Sequence, residues 1–429
     1  MPVHGSASDV TLLSRRAFLR LSAISGAALA IGNGSFLAGC ASTRPRTFHP
    51  RPRVLADLHC HPRLAAWIEG EPVSVKAPGL AQTADAWLNT TQVTWEACHA
   101  SGVDVLCVAH YNPFDEIASM ATDPSRDAPR NLIRMMDALE EHLDLPQVSR
   151  FARLARNRSE LAALVSIPKS SPDYRIAVVH AVEGAHALGG STQPLAELAR
   201  RGVFMISVAH FFDKGLVSTA NAIPYFPDAG SAPALTGLTE RGREVIQEME
   251  RLGMVVDVTH ATQEGLNDIL RITKGPVVAS HSGARTLGHH PYNLIDEHIQ
   301  EIARRGGLIG IVLYPYMLSN YTQLSDAETD ASLTEVARTV GFVRRLLAGT
   351  PGLNRAPEAC IALGTDFGGY IPPVKGMNDL SEIERVRDAI QGRLRRDPSL
   401  AGQDVEPMLD AIMAENVITF LRENWGVSR

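Results

Sequence analysis

The sequence predicts an α/β protein, a (β/α)8 barrel of the TIM type, from three features of its 429 residues. Eight short runs rich in Val, Ile, Leu and Ala recur along the chain, as expected of parallel strands buried on both faces. Apolar residues at three- and four-residue spacing fill the intervals and predict helices. No GxGxxG motif follows the first run, which disfavours a doubly wound open sheet, the alternative fold.

The predicted strands and helices alternate in the order that such a barrel requires. In chain order, the eight predicted strands are 54–61, 103–109, 176–183, 203–209, 254–260, 276–281, 308–314 and 360–367. Helical periodicity is clearest at 239–252, 294–303 and 333–347. The interval 116–164 is long for one crossover and predicts two helices. The stretch 380–425 predicts helices that cover the outside of the barrel.

The first 53 residues differ from the barrel sequence and predict an export signal and a tether. Residues 1–39 carry Arg15 and Arg16 before an apolar stretch that is too short and too rich in glycine to span a membrane, which resembles a twin-arginine signal. The stretch ends in Leu-Ala-Gly-Cys, a motif similar to a lipobox, so we expect cleavage before Cys40 and a lipid on its thiol. A plain cleavage site is the alternative. Residues 40–53 contain three prolines and predict an extended, lipidated tether to a barrel domain at 54–429.

This interpretation places the mature protein outside the cytoplasm. We expect export across the inner membrane and a lipid-anchored protein in the periplasm or on the cell surface, with the lipid on Cys40 as its only membrane contact. The net charge of −6 does not indicate a nucleic-acid partner. Five cysteines without CxxC spacing make a poor disulfide framework. A homodimer is compatible with the sequence, which does not decide the oligomeric state.

Polar residues stand at the C-terminal ends of six of the eight predicted strands, the face that carries catalysis in such barrels. They are His59 and His61, His180 and Glu183, His210, Asp257 and His260, His281, and Asp366. His59 and His61 are two residues apart in one strand, so both side chains point into the barrel. Asp257 is three residues before His260 and is interpreted as a supporting or packing residue. His99, His142 and His298 are interpreted as surface residues.

A buried group of imidazoles and carboxylates predicts bound metal. Without a cation, burying these side chains together would cost many kcal/mol. Nitrogen and oxygen ligands without thiolate favour Zn²⁺, although Mn²⁺, Co²⁺ and Fe²⁺ remain compatible with the ligands alone. Two metals bridged by one carboxylate fit the number of ligands better than one metal. Two cations that share a hydroxide would lower its pKa and polarise a scissile carbonyl, which is hydrolase chemistry.

Six ordered segments carry a family resemblance. They are Val-Glu-Gly-Ala-His (182–186), Ser-Val-Ala-His (207–210), Leu-Thr-Glu-Arg-Gly-Arg-Glu-Val-Ile (238–246), Arg-Leu-Gly-Met-Val-Val-Asp-Val-Thr-His (251–260), Pro-Val-Val-Ala-Ser-His-Ser (276–282) and Gly-Thr-Asp-Phe-Gly-Gly (364–369). Each segment is short, but the ordered set spreads over most of residues 54–370 and is specific. The chain resembles the membrane (renal) dipeptidase family of zinc peptidases, within the amidohydrolase-like metal-dependent hydrolases.

The resemblance implies a role for each matching residue. It implies that His59 and His61 bind one zinc, with His61 in place of the family's aspartate, that Glu183 bridges two zincs, and that His260 and His281 bind the second. Asp366 would handle the proton of the bridging water, and His210 would contact the carbonyl region of the substrate. Tyr292 stands where the family has an arginine that grips the substrate carboxylate, and Arg285 is nearby. Both are candidate substrate-binding residues.

The resulting hypothesis is a zinc-dependent dipeptidase, with two zinc ions per chain, that cleaves dipeptides or similar small amides through a metal-bridging hydroxide. Another barrel amidohydrolase, acting on N-acyl amino acids, lactones or phosphoesters, is one alternative. A lipoprotein that binds a ligand without turnover is the other. The full ligand set together with Asp366 favours an enzyme, because a binding protein has no need of a proton-handling carboxylate.

Overall fold

A computed structural model describes residues 55–64, 92–118, 127–213, 215–220, 237–318, 329–369, 371, 374 and 377–429. The predicted export signal and tether, including Arg15, Arg16 and Cys40, lie outside the described residues. Within the described ranges, every helix is too short or too polar to cross a membrane.

Eight parallel strands form a nearly closed barrel, which confirms the predicted fold. In chain order the strands are β1 Ala56–Cys60, β2 Val105–His110, β3 Ala152–Leu154, β4 Ile176–Val182, β5 Val203–Ser207, β6 Val255–Asp257, β7 Val278–Ser282, β8 Leu308–Ile311 and β9 Ile361–Leu363. The barrel order is β1-β2-β4-β5-β6-β7-β8-β9, and β3 pairs with β4 outside this path. The two ends of the barrel meet where Asp366 N donates to His59 O at 2.9 Å and His61 N donates to Phe367 O at 2.7 Å.

The helices alternate with the strands and continue after β9. They are α1 Trp95–Ala100, α2 Pro113–Ala118, α3 Ala128–Leu143, α4 Pro146–Ser149, α5 Arg158–Val165, α6 Gln193–Arg200, α7 Glu240–Arg251, α8 Gln263–Ile272, α9 Asp296–Arg304, α10 Pro315–Leu318, α11 Thr329–Ala348, α12 Ile383–Arg395, α13 Glu406–Asp410 and α14 Asn416–Asn424. A π-helical turn, Ala411–Glu415, joins α13 to α14. The three helices with the clearest periodicity correspond to α7, α9 and α11.

The interval 116–164 is more complex than the predicted two helices. It contains α3 and α5 as the longer helices, but the three-residue strand β3 lies between them. Only Ala152 and Leu154 of β3 are buried, while Arg153 is exposed. A strand of this length contains too few residues to show a recognisable period in the sequence.

The C-terminal helices occupy two different places. Helix α12 packs on α11 outside the barrel, as predicted. The predicted outer position is wrong for helix α14. Its residues belong to the apolar cluster formed by inward-facing strand residues, and the Phe204 ring lies 6.0 Å from those of Phe420 and Trp425. Asn416 Nδ2 donates to Ile361 O at the start of β9. The last helix therefore closes the N-terminal end of the barrel, opposite the predicted metal face.

Candidate metal centre

The opposite end of the barrel brings the predicted ligands together. His59, His61, Glu183, His260 and His281 are all at least 95% buried, and Asp366 lies beside them with its side chain 13% exposed. Their ligand atoms form overlapping groups in which all atoms lie within 4.8 Å of one another. The cluster assembles because the C-terminal ends of parallel strands meet at one end of the barrel.

A bulge in β1 places the first histidine pair. The pairing of β1 with β2 shifts register between Asp57 and Cys60, and Asp57 Oδ1 accepts hydrogen bonds from His59 N at 3.1 Å and Thr365 N at 2.9 Å. Cys60 packs into the outer apolar core, as the strand period predicts. The Nε2 atoms of His59 and His61 lie 3.0 Å apart on the inner side.

Glu183 lies between two histidine pairs. Its Oε1 is 3.2 Å from His260 Nε2 and 3.5 Å from His281 Nε2, and these two nitrogens are 3.0 Å apart. In the other pair, its Oε1 is 3.4 Å from His59 Nε2 and its Oε2 is 3.3 Å from His61 Nε2. Burial acts to raise the pKa of Glu183, but the nearby imidazoles, including His210 and His59, hold it well below its usual value. One ionised carboxylate therefore faces both pairs.

Left-handed backbone geometry positions two of the site residues. His260 has a φ of 70° and Asp366 has a φ of 59°, a region that non-glycine residues rarely adopt. Such strain costs on the order of 1–3 kcal/mol and is concentrated at functional sites. The resulting turn places Asp366 Oδ1 3.4 Å from His61 Nε2 and 3.9 Å from His59 Nε2.

His210 approaches the cluster from the end of β5 and is held by a residue that the sequence did not reveal. Its Nε2 lies 3.7 Å from Glu183 Oε1, and its Nδ1 donates to Glu116 Oε2 at 2.7 Å. Glu116 is fully buried, and its Oε1 accepts hydrogen bonds from the backbone N–H groups of Phe211 and Phe212. Burial acts to raise the pKa of Glu116, but His210 and His186 lower it to about 2. The same carboxylate helps to raise the pKa of His210 despite that residue's burial.

The two candidate substrate-binding residues lie on the loop after β7. The Tyr292 ring stands 4.4 Å from the His260 ring, measured between centroids, and therefore borders the site. Arg285 Nε donates to Asn293 O at 3.3 Å, and Arg285 Nη2 donates to Pro291 O. These hydrogen bonds attach Arg285 to the loop that carries Tyr292.

The donor set fits zinc. Zn–N bonds of about 2.0–2.1 Å in tetrahedral geometry separate two ligand nitrogens by about 3.3 Å, close to the 3.0 Å between the Nε2 atoms of each pair. Burial acts to lower the pKa of His61, but contacts with Asp366 and Glu183 raise it to about 10. The carboxylates thus stabilise positive charge at this position. The described residues thus bring together histidine and carboxylate groups that could hold a metal ion.

Comparison with known families and proteins agrees with the family resemblance of the sequence segments. A family model described as membrane dipeptidase, peptidase family M19, matches residues 55–418. Dipeptidase tcpJ of Claviceps purpurea is 28% identical over 291 residues, which cover 67% of this chain and 60% of that protein. Dipeptidase aclJ of Aspergillus oryzae is 31% identical over 226 residues, or 53% of this chain and 48% of that protein. The matched part of the chain thus spans about half to three-fifths of the length of these relatives.

Solved structures share the fold at lower sequence identity. A metallopeptidase from Rhodobacter sphaeroides, liganded with a phosphinate mimic of the dipeptide L-Ala-D-Ala, is 20% identical with a TM-score of 0.63, covering 87% of this chain and all of that one. A family M19 metallopeptidase described as dipeptidase AC is 21% identical with a TM-score of 0.62, covering 88% of this chain and all of that one. These similarities establish the common barrel architecture.

Proposed function

The chain belongs to the membrane dipeptidase family, and from that membership we propose that it is a zinc-dependent dipeptidase that cleaves the amide bond of dipeptides or similar small amides. The observation that carries the proposal is the position of Glu183 between two histidine pairs, with one carboxylate oxygen 3.2 Å from His260 Nε2 and the other 3.3 Å from His61 Nε2. A carboxylate shared in this way suits two cations better than one. Zinc ions bound there would polarise the scissile carbonyl and lower the pKa of the attacking water.

The ligands divide between the two halves of the site. His59 and His61 would hold one zinc, His260 and His281 would hold the other, and the Glu183 carboxylate, which lies close to both pairs, would be shared between them. All five side chains are buried, so they keep bulk water away from the reacting groups. The partly exposed Asp366 marks the side from which a substrate can enter.

Asp366 is the proposed proton carrier. Its Oδ1 lies within 3.9 Å of both His59 Nε2 and His61 Nε2, beside the position where water would attack. A carboxylate there can accept the proton of the water and return it to the leaving nitrogen. The backbone turn at φ 59° fixes this orientation before substrate arrives.

His210 is the proposed donor to the carbonyl oxygen of the substrate. Glu116 anchors its Nδ1, so its Nε2 is directed toward Glu183 and the space between the two histidine pairs. The raised pKa of His210 favours the doubly protonated ring, whose Nε2–H can stabilise the negative charge that develops on the oxygen. In comparable sites, such a donor contributes a few kcal/mol to transition-state stabilisation.

A metal analysis combined with a substrate panel tests the proposed activity. We expect the purified protein to bind two zinc ions per chain and to hydrolyse at least one dipeptide in a panel that includes L-L and L-D pairs. The L-D pairs are chosen because a structural relative binds a mimic of L-Ala-D-Ala. The same protein treated with a chelator is the control and should be inactive until zinc is restored. If the zinc-loaded protein cleaves none of the dipeptides or related amides, the proposal fails.

We propose that the protein is exported across the inner membrane and anchored by a lipid on Cys40, in the periplasm or on the cell surface. Support comes from Arg15 and Arg16 followed by an apolar stretch that ends in Leu-Ala-Gly-Cys. Exchanging both arginines for lysine should block export, and Cys40→Ala should release the exported protein from the membrane. Normal export of the first variant would contradict the twin-arginine signal. Unchanged membrane association of the second would contradict the lipid anchor.

A further inference from the structure

We propose that Ser280 is a positioning residue shared by the two metal sites. Its single hydroxyl orients one histidine ligand of each site and thereby contributes to the zinc affinity of both sites. The inference deepens the proposed function and rests on it, because it presumes that each histidine pair binds a zinc. It concerns metal binding and can be tested without a substrate.

The hydroxyl of Ser280 has three polar neighbours within 3.1 Å and a fourth, Thr259 Oγ1, at 3.4 Å. Ser280 is fully buried in β7, and its Oγ lies 3.1 Å from His59 Nδ1 and 3.0 Å from His281 Nδ1. The third neighbour is Asp257 Oδ2 at 2.6 Å. The other carboxylate oxygen of Asp257 accepts hydrogen bonds from Thr259 N, Thr259 Oγ1 and Ser280 N, which fix the orientation of the carboxylate.

Counting hydrogens assigns the direction of each bond. A hydroxyl offers one hydrogen and two acceptor lone pairs. The hydroxyl hydrogen of Ser280 goes to Asp257 Oδ2, which accepts it at 2.6 Å, while Thr259 Oγ1 gives its own hydrogen to Asp257 Oδ1. Both lone pairs then remain for the two imidazoles, so His59 and His281 each donate through Nδ1–H. Each ring must therefore carry its free lone pair on Nε2, the tautomer in which Nε2 binds a metal.

These two histidines belong to different halves of the site. His59 pairs with His61 and His281 pairs with His260, in each case with 3.0 Å between the Nε2 atoms. In the part of the chain that the structure describes, Nδ1 of His61 and Nδ1 of His260 have no hydrogen-bond partner. Each pair is thus oriented on its Nδ1 side through the ligand that contacts Ser280. Loss of this hydroxyl should affect both halves together.

Zinc titration of the metal-free, full-length protein tests whether both sites depend on Ser280. We expect Ser280→Ala to lower the zinc affinity of both sites, by about 10- to 100-fold each, the usual effect of removing a residue that orients a metal ligand. Ser282→Ala is the matched control, because Ser282 is equally buried in the same strand and its hydroxyl donates to the backbone oxygens Gly283 O and Tyr292 O. Ser280→Thr, which retains the hydroxyl, should restore both affinities.

The isosteric variant Asp257→Asn tests the assignment of the hydrogens. The amide oxygen of the variant would keep accepting hydrogen bonds from the backbone N–H groups of Thr259 and Ser280. The amide NH2 would therefore face Ser280 Oγ. The hydroxyl must then give its own hydrogen to one imidazole, which moves that ring's hydrogen to Nε2 and blocks it as a ligand. One site should weaken more than the other, in contrast to the joint loss in Ser280→Ala.

The outcomes separate this proposal from the proposed function. Wild-type protein that binds no zinc contradicts the proposed function itself. Wild-type protein that binds two zinc ions, with a Ser280→Ala variant that loses affinity at neither site or at only one, overturns the shared role of Ser280. An equal loss at both sites in Asp257→Asn overturns the hydrogen assignment. If Ser280→Ala does not fold, Asp257→Asn and Ser280→Thr still decide.

Discussion

Buried histidines occur in two regions of the molecule, and their surroundings differ. The first region is the outer shell, the layer of helices around the barrel. There His142 Nε2 accepts a hydrogen bond from Trp95 Nε1 at 2.9 Å, and His298 Nε2 lies 2.9 Å from Asn267 Oδ1. In the metal centre, the Nε2 atoms of His59 and His61 face each other at 3.0 Å and share a carboxylate, Glu183, with a second pair. All of these rings are at most 5% exposed.

The comparison shows that burial alone does not mark a metal ligand. Each of these outer-shell rings makes one ordinary hydrogen bond to a neutral side chain through its Nε2. In the candidate metal centre, four imidazole Nε2 atoms converge on one carboxylate. The convergence of Nε2 atoms on a shared carboxylate is therefore the feature that distinguishes the histidines of the candidate metal centre from the outer-shell histidines.

The largest effect should come from removing the shared carboxylate. Glu183→Gln replaces one of the two carboxylate oxygens with an amide nitrogen, which is a poor metal ligand, and removes the negative charge. We expect both zinc ions to be lost and dipeptide hydrolysis to fall to background, measured by elemental analysis and a peptidase assay. Glu250→Gln is the matched control: Glu250 is equally buried, and its Oε1 accepts hydrogen bonds from the backbone N–H groups of Lys274 and Gly275. Full zinc content in Glu183→Gln would contradict the bridging role.

Asp366→Asn should reduce turnover while the metal remains bound. The histidines and Glu183 supply most of the coordination, whereas Asp366 Oδ1 is placed to carry a proton. We expect kcat to fall by a factor on the order of 10²–10⁴, with zinc content near that of the wild type. Asp104→Asn controls for the loss of an acidic side chain, because Asp104 is a buried carboxylate directly before β2 that forms an ion pair with Lys169. Wild-type turnover in Asp366→Asn would direct the proton through His210 instead.

Sequence patterns identified the cluster because the relevant signals are local. His59, His61, His260, His281 and Asp366 stand at the ends of apolar runs, and a parallel barrel brings all such ends to one face. The interpretation of His142 and His298 as surface residues was wrong, since both are 3% exposed. Each lies on a helix, where one histidine among charged neighbours does not reveal which face is buried.

The supporting residues of the site depend on contacts between segments that are distant in sequence. Glu116 reaches His210 across 94 positions, and Ser280 reaches His59 across 221. A glutamate in a short helix and a serine in a strand are too common to indicate such partners. Asp257 was expected to be a supporting or packing residue from the strand period, and its bond to Ser280 fits the first role. Its partner was not predictable, because it depends on the register of neighbouring strands.

Removing zinc should destabilise the metal centre without affecting the outer shell. A ligand at a thousand times its dissociation constant stabilises the folded state by about 4 kcal/mol, so a chelator should lower the free energy of unfolding by about that amount. Urea denaturation at pH 7.5, with and without chelator, measures the change. Glu183→Gln is the control, because a variant that has already lost its zinc should not respond. Equal wild-type stability in both conditions would contradict a bound metal.

The smallest effect concerns a histidine of the outer shell. Burial, with a further contribution from Arg63, lowers the pKa of His142 to about 4, against about 6.5 in an unfolded chain. Between these values the unfolded state binds a proton that the folded state does not. The stability contributed by neutral His142 is therefore fully present above pH 6.5 and is lost as the pH falls toward 4.

His142→Gln isolates this contribution, because an amide oxygen can still accept from Trp95 Nε1 but does not titrate in this range. The measurement is the free energy of unfolding of metal-free wild type and variant at pH 7.5 and pH 5, since protonation of the zinc ligands would otherwise dominate the profile. Other buried histidines, such as His298, titrate equally in both proteins and cancel in the difference. We expect the wild type to lose more stability than the variant at pH 5. Equal losses would show that His142 is protonated in the folded protein and that its bond to Trp95 does not keep it neutral.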